Sequence, residues 1–266
     1  MTVTLPFSMN IWQLLGLCGI AFCAGFIDSI AGGGGLIQLP GIMAFLPNVS
    51  AVTLLAVNKT SSVVGTCTAV TEYSRKGLVN RKRMWKSAVA ALFTSALGAY
   101  TAKRVPNELL KPLIIVLLLF LILFTLFKKD FGQQETASRF NESQQAVLGL
   151  LLGLCIGFYD GFFGPGTGNL LIMGLIFIYG ENFLHASADA KTVNAMTNIS
   201  AVLMYTLMGV GNLFLGLTMG LFNMAGAHLG VRMAVLKGSR FIRVLFILMS
   251  SALLIKQIVE LLTAGL

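Results

Sequence analysis

Charge is what this sequence has least of. Asp, Glu, Lys and Arg make up 11% of its 266 residues, where a soluble domain normally carries about a quarter. Hydrophobic residues make up 56%, and mean hydropathy is +0.84. Too little polar surface remains to cover a water-soluble globule. Histidine is limited to His185 and His228, with no His-Glu-x-x-His spacing, so no metal site is expected. His185, near Glu181 and Asp189, reads as a solvated loop residue; His228, among Gly226, Ala227 and Gly230, reads as a packing residue. Cys18, Cys23, Cys67 and Cys155 form no CxxC pair and sit in apolar runs, as small hydrophobes rather than disulfides or ligands. No Gly-x-Ser-x-Gly elbow is present, and no Gly-Lys-Ser/Thr follows a glycine cluster. Neither an enzyme nor a cofactor is expected, and ATP-driven transport has no support within this chain. No Lys or Arg precedes Lys59, so the first apolar run lacks the positive region of a cleaved signal peptide.

What the sequence does have is apolar length. Runs such as 113–127 and 244–255 recur along it. At about 20 residues per crossing, the chain has room for roughly eight to ten. The expected fold is all-α and polytopic, with helices near 11–30, 50–74, 83–102, 109–127, 144–162, 188–207, 213–233 and 240–260. Two shorter apolar stretches, 36–46 and 169–180, follow glycine clusters. Eleven helical residues reach only about 17 Å, so these read as half-helices. The net charge of +9 sits in the gaps between apolar runs, which suits membrane orientation rather than nucleic acid. Its densest cluster, Arg75, Lys76, Arg81, Lys82, Arg83 and Lys86 with Tyr73 and Trp85, reads as a cytoplasmic loop facing lipid headgroups.

The sequence also repeats. A shift of 132 residues lays Gly25-Phe26-Ile27-Asp28 over Gly157-Phe158-Tyr159-Asp160, Gly32 and Gly34 over Gly164 and Gly166, and Lys59-Thr60 over Lys191-Thr192. Tyr73, Gly77, Asn80 and Gly98 fall on Tyr205, Gly209, Asn212 and Gly230. Coincidences of Asp and Lys carry weight, because both are rare inside membrane segments. Two halves are expected, at 1–130 and 143–266, joined by a cytoplasmic linker at 131–142. Loops 75–86, 128–142 and 232–243 hold 13 Lys and Arg; loop 103–111 and the C-terminal end hold 4. An inverted repeat places the 13 inside, whereas a parallel one splits the basic residues nearly evenly. The positive-inside rule therefore selects inversion, with the C-terminus outside the cytoplasm.

The candidate site lies at the two glycine-rich breaks, 28–35 and 160–168. Four consecutive glycines, or Gly-Pro-Gly, do not continue a helix comfortably, and irregular backbone at membrane depth is tolerated only against protein or a wet cavity. Helices starting there would aim free N–H groups of residues 33–37 and 166–170 into that cavity, a setting for an anion. Inverted breaks would face each other near the midplane. Close packing through glycine is the plainer reading. The residues singled out for substrate are Gly33, Gly34, Gly35, Leu36, Asn58, Lys59, Thr60, Gly166, Thr167, Gly168, Asn169, Lys191, Asn194 and Asn198. For Lys59 and Lys191, substrate contact, pairing with Asp28 or Asp160, and snorkelling to an interface all stand open. Asp28 and Asp160 would either carry a coupled proton or hold the broken backbone.

At these residues the chain resembles a known family. Gly25-Phe26-Ile27-Asp28-Ser29-Ile30-Ala31-Gly32-Gly33-Gly34-Gly35-Leu36 resembles the first signature of the TauE/SafE membrane transporters, especially their YfcA-like branch. The stretch from Gly157 to Gly168 is similar to the second. Asn58-Lys59 and Ala190-Lys191 with Asn194 and Asn198 match as well. Thr60-Ser61-Ser62 and Gly166-Thr167 depart from the branch's pattern at the proposed site. The resemblance implies a secondary carrier in the bacterial cytoplasmic (inner) membrane that exports, or takes up, sulfite or organosulfonates by alternating access, with proton coupling open. An anion channel and a non-transporting scaffold are the alternatives. The implied partners are a small anionic solute and the bilayer, not nucleic acid; a monomer and a homodimer both fit.

Overall fold

The computed structural model of the chain describes residues 6–106 and 137–264. Among these residues there are eight α-helices and no strand: α1 Ile11–Ala31, α2 Gly35–Phe45, α3 Ala51–Arg75, α4 Arg81–Arg104, α5 Glu142–Phe162, α6 Thr167–Tyr179, α7 Phe183–Leu207 and α8 Leu213–Ala264. The helix expected at 109–127, the boundary at 130 and positions 131–136 of the linker lie outside the described residues.

Caps set the helix starts. Asn10 and Asn141 each close a capping box, with Gln13 and Gln144. Ser50 caps α3. The Asn182 side chain accepts the N–H groups of Leu184 and His185, which starts α7 five residues before the expected 188. His185 consequently sits in a helical first turn rather than a loop. The two helices expected at 213–233 and 240–260 are both present, parted by a kink at Gly238 (φ 70°, ψ −171°) within the run labelled α8. α2 and α6 are short, at 11 and 13 residues, and α6 meets α7 at a 120° bend.

By length and composition, α1, α5 and the Leu213–Ile242 part of α8 can each cross a membrane, and the bent pair α6–α7 has the length and composition of a broken span or a re-entrant loop. α3 and α4 have 25 and 24 residues, about 36 Å at 1.5 Å per residue. Polar residues lower their hydropathy, and those of α3 (Asn58, Lys59, Thr60 and Ser61) are all buried inside the protein. The chain is thus an all-α polytopic membrane protein.

The contacts fix the directions of the halves. Tyr73 Oη donates to the Ser29 carbonyl (2.8 Å), so α1 and α3 end together. Five residues separate the end of α3 from the start of α4, which therefore begins on that same side. α4 lies parallel to α5: Gly153 packs on Ser87, Gly157 on Ala91 and Gly161 on Ser95, each approach too close for a side chain on the glycine. α1 and α5, the first helices of the two halves, therefore run in opposite directions. Two of these contacts recur after the 132-residue shift. Tyr205 Oη donates to the Gly161 carbonyl (3.1 Å), and Gly25 packs on Asn223 as Gly157 packs on Ala91. The first helix of each half packs along the last described helix of the other, α1 on α8 and α5 on α4, so the halves interlock. Two apolar cores result. One gathers Leu39, Ile42, Leu54, Leu55 and Val57; the other gathers Leu171, Ile172, Leu175 and Val231.

Candidate functional site

Both helical paths break where glycine permits it. Gly32 ends α1 at φ 81°, and its repeat partner Gly164 follows α5 at φ 94°. L-residues avoid that region, so both positions select glycine. The breaks touch: Gly32 lies on the backbone of Gly168, and Gly35 on Pro165. At neither contact is there room for a larger residue to sit unmoved.

Beside the breaks stand two ion pairs, and they are crossed. Lys59 of the first half bonds Asp160 of the second (2.6 Å), while Lys191 of the second bonds Asp28 of the first (2.7 Å). Lys59 is 3% exposed and Lys191 0%, which rules out snorkelling for both. Lys59 also donates to Asn198 Oδ1 (2.9 Å). Asn198 Nδ2 donates to Asn194 Oδ1 (2.9 Å) and to Thr66 Oγ1 (3.3 Å). Thr66 and Asn198 are themselves 132 residues apart, so the pseudo-twofold axis passes between them.

Asp28 also supports its break, because Oδ1 accepts the Gly34 N–H (3.3 Å). Asp160 Oδ1 takes the Thr167 hydroxyl (2.6 Å), leaving Oδ2 buried without a partner. Asn58 Oδ1 and Asn169 Oδ1 are likewise buried and unpartnered. Such groups are uncommon in native interiors and point to an occupant, whether water or solute. The cavity between the pairs measures about 20 Å³, room for about one water molecule.

The anticipated residues divide around that cavity. Asp28, Gly35, Asn58, Lys59, Asp160, Gly166, Gly168, Asn194 and Asn198 line it, together with Gly32, Ser62 and Gly164. Gly33, Gly34, Leu36, Thr167, Asn169 and Lys191 are not part of this lining. Thr60 turns away, donating to the Ala56 carbonyl (2.8 Å) and packing against Gly216 of α8. The set of amides proposed for the anion is also smaller than 33–37 and 166–170. Gly34 donates to Asp28, Leu36 and Ile37 to Gly33 and Gly34, and Thr167 and Leu170 to Gly164 and Gly166. Those of Gly33, Gly35, Gly166, Gly168 and Asn169 have no backbone acceptor among the described residues. Ser62, noted only as part of a departure from the family pattern, was left out of the substrate set, although it is the repeat partner of Asn194. His228 is not a packing residue. It is 45% exposed and faces Glu72, with Nδ1 to Oε1 at 3.3 Å.

The arrangement is electrically balanced, two largely buried lysines against two aspartates. It can hold a small polar solute and exchange charge partners, and its lining has no nucleophile paired with a base.

Comparison with known proteins agrees. The family profile described as "Sulfite exporter TauE/SafE" matches residues 17–256. A "Probable membrane transporter protein ORF9" of Sinorhizobium sp is 36% identical over 240 residues, 90% of each chain. A "Probable membrane transporter protein" of Haemophilus influenzae is 32% identical over 249 residues, 92% of this chain and 95% of the relative. The "Probable membrane transporter protein YfcA" of Escherichia coli K12 is 32% identical over 241 residues, covering 91% and 88%. No solved structure matches. With a profile and relatives that each span about nine-tenths of its length, this chain belongs to the TauE/SafE family of membrane transporters.

Proposed function

We propose that the protein is a secondary carrier for a small sulfur-containing anion, such as sulfite or an organosulfonate, in the bacterial cytoplasmic membrane, and that a proton accompanies the anion. The crossed pairing of Lys59 with Asp160 and Lys191 with Asp28 is the observation that carries this reading. A bare anion added between two satisfied ion pairs would meet two carboxylates in a low-dielectric space, where like charges repel strongly. Protonation of Asp160 removes one of them and frees the Lys59 ammonium. The anion then takes over the position of the carboxylate, with the amides of Gly35, Gly166 and Gly168 as further donors. Loading the site thus adds no net charge.

The small cavity supports a carrier over a channel, because at about 20 Å³ it holds about one water molecule and not an oxyanion. The solute is admitted only when one half moves against the other, as expected of inverted repeats. The halves assigned to 1–130 and 143–266 would be the moving bodies, with loop 76–80 on the cytoplasmic side.

The experiment is uptake into proteoliposomes of sulfite, thiosulfate, sulfoacetate, sulfate and simple carboxylates, each with and without a pH gradient. Saturable flux of one sulfur oxyanion that follows the gradient supports the carrier. Ohmic current would indicate a channel, and no flux of any anion a scaffold.

A further inference from the structure

The 132-residue repeat does not extend to charge at the starts of α4 and α8. Between the first turns of α4 and α5 lies a cleft of about 140 Å³ that includes Lys82, Arg83, Lys86, Gln145, Tyr179 and Glu142 in its lining. The repeat counterpart of α4 packed on α5 is α8 packed on α1. There the positions of Lys82, Arg83 and Lys86 are taken by Phe214, Leu215 and Thr218. The helix packing does not call for cations, since α8 packs along α1 without them.

The three cations are not equally committed. Arg83 is bonded to Glu181 and stacked over the Tyr179 ring at 4.6 Å. Lys82 and Lys86 have no carboxylate within ion-pair distance among the described residues. Lys86 lies instead over Trp85 (5.8 Å). Trp85 is 55% exposed, and exposed tryptophan marks the headgroup level of a membrane. The parallel helices begin at the same end, which adds two positive dipole ends to the lysines. Directly along the helices from this cleft run exposed apolar side chains, Val89, Phe93 and Leu97 on α4 and Val147, Leu151 and Leu154 on α5.

The geometry points to a lipid site: the cleft between α4 and α5 holds the phosphate-bearing headgroup of an anionic phospholipid, with Lys82 and Lys86 as its counter-charges and the apolar strip below receiving its acyl chains. A free phosphate would have no use for that strip, whereas a phospholipid needs both. α4 belongs to the first half and α5 to the second, so the lipid bridges the interlocked halves. This inference depends only on the chain lying in a membrane and is independent of what it carries.

The test is native mass spectrometry of the purified full chain released from nanodiscs of mixed phosphatidylglycerol and phosphatidylcholine. Preferential retention of phosphatidylglycerol is expected. The K82Q/K86Q variant should lose about thirtyfold of that preference, from ~1 kcal/mol for each cation near an anionic surface. K82R/K86R should keep it, which separates lost charge from lost folding, and E142Q should strengthen it. Phe214→Ala, at the repeat position of Lys82, should change nothing. Equal retention of both lipids by the native chain, or unchanged preference in K82Q/K86Q, overturns the site. Glycerol phosphate displacing the lipid at comparable concentration would assign the cleft to a free phosphate and overturn the lipid assignment.

Discussion

At the scale of single residues, the protein places its few intramembrane charges where each has an opposite. A buried ion pair is a weak source of net stability, but losing one partner leaves a bare charge and costs ~3–5 kcal/mol. Lys59→Met and Asp160→Asn should each destabilise the purified protein by that order. The double variant should be far less damaged than the two losses added, because no orphan charge remains. Thermal unfolding in detergent, arranged as a double-mutant cycle, checks this; additive losses would mean that the pair contributes nothing as a pair. The residue types here were legible in the sequence, since Asp28 is the only aspartate before residue 130 and Lys59 the first basic residue. Their partners were not. A repeat shift says which residues are equivalent, not which of them touch, and both an uncrossed and a crossed pairing satisfy it. His228 was misread for a related reason: a membrane helix is apolar toward lipid as well as toward protein, so composition does not separate a packing face from an outward one.

At the scale of elements, the broken helices carry the argument. Their existence was plain from Gly32–Gly35 and from Gly164-Pro165-Gly166, residues whose backbone preferences act locally. Their mutual contact needed the fold. Gly168→Ala should leave the protein inserted and helical, because position 168 is inside α6. It should abolish transport, because the added methyl would meet the backbone of Gly32. Circular dichroism and liposome uptake measured on the same preparation check both halves of that statement. The tyrosine straps make a matched pair. Tyr73→Phe and Tyr205→Phe each remove one hydroxyl-to-carbonyl bond across helices, and each should cost about 1 kcal/mol in the same unfolding assay. A large effect in only one would deny the equivalence of the halves at this level.

At the scale of the whole molecule, inversion is the organising property. It was legible because basic residues are so unevenly divided among the loops, a signal that depends on orientation alone. The interlocking of the halves was invisible, since it concerns which helix lies beside which. Loops 76–80 and 208–212 are repeat partners, and inversion places them on opposite sides of the membrane. In a cysteine-free background, Lys76→Cys and Met208→Cys should react with an impermeant maleimide from opposite faces, Lys76→Cys from the cytoplasmic one. Labelling of both from one face would contradict inversion.

The crossed pairs have their plainest consequence in proton movement. Proteoliposomes containing an internal pH indicator should acidify inside as sulfite, or whichever anion the panel identifies, moves in. Asp160→Asn should carry the anion without that acidification, or not carry it at all. Full anion flux with no change in internal pH, unaltered in Asp160→Asn, would contradict the account.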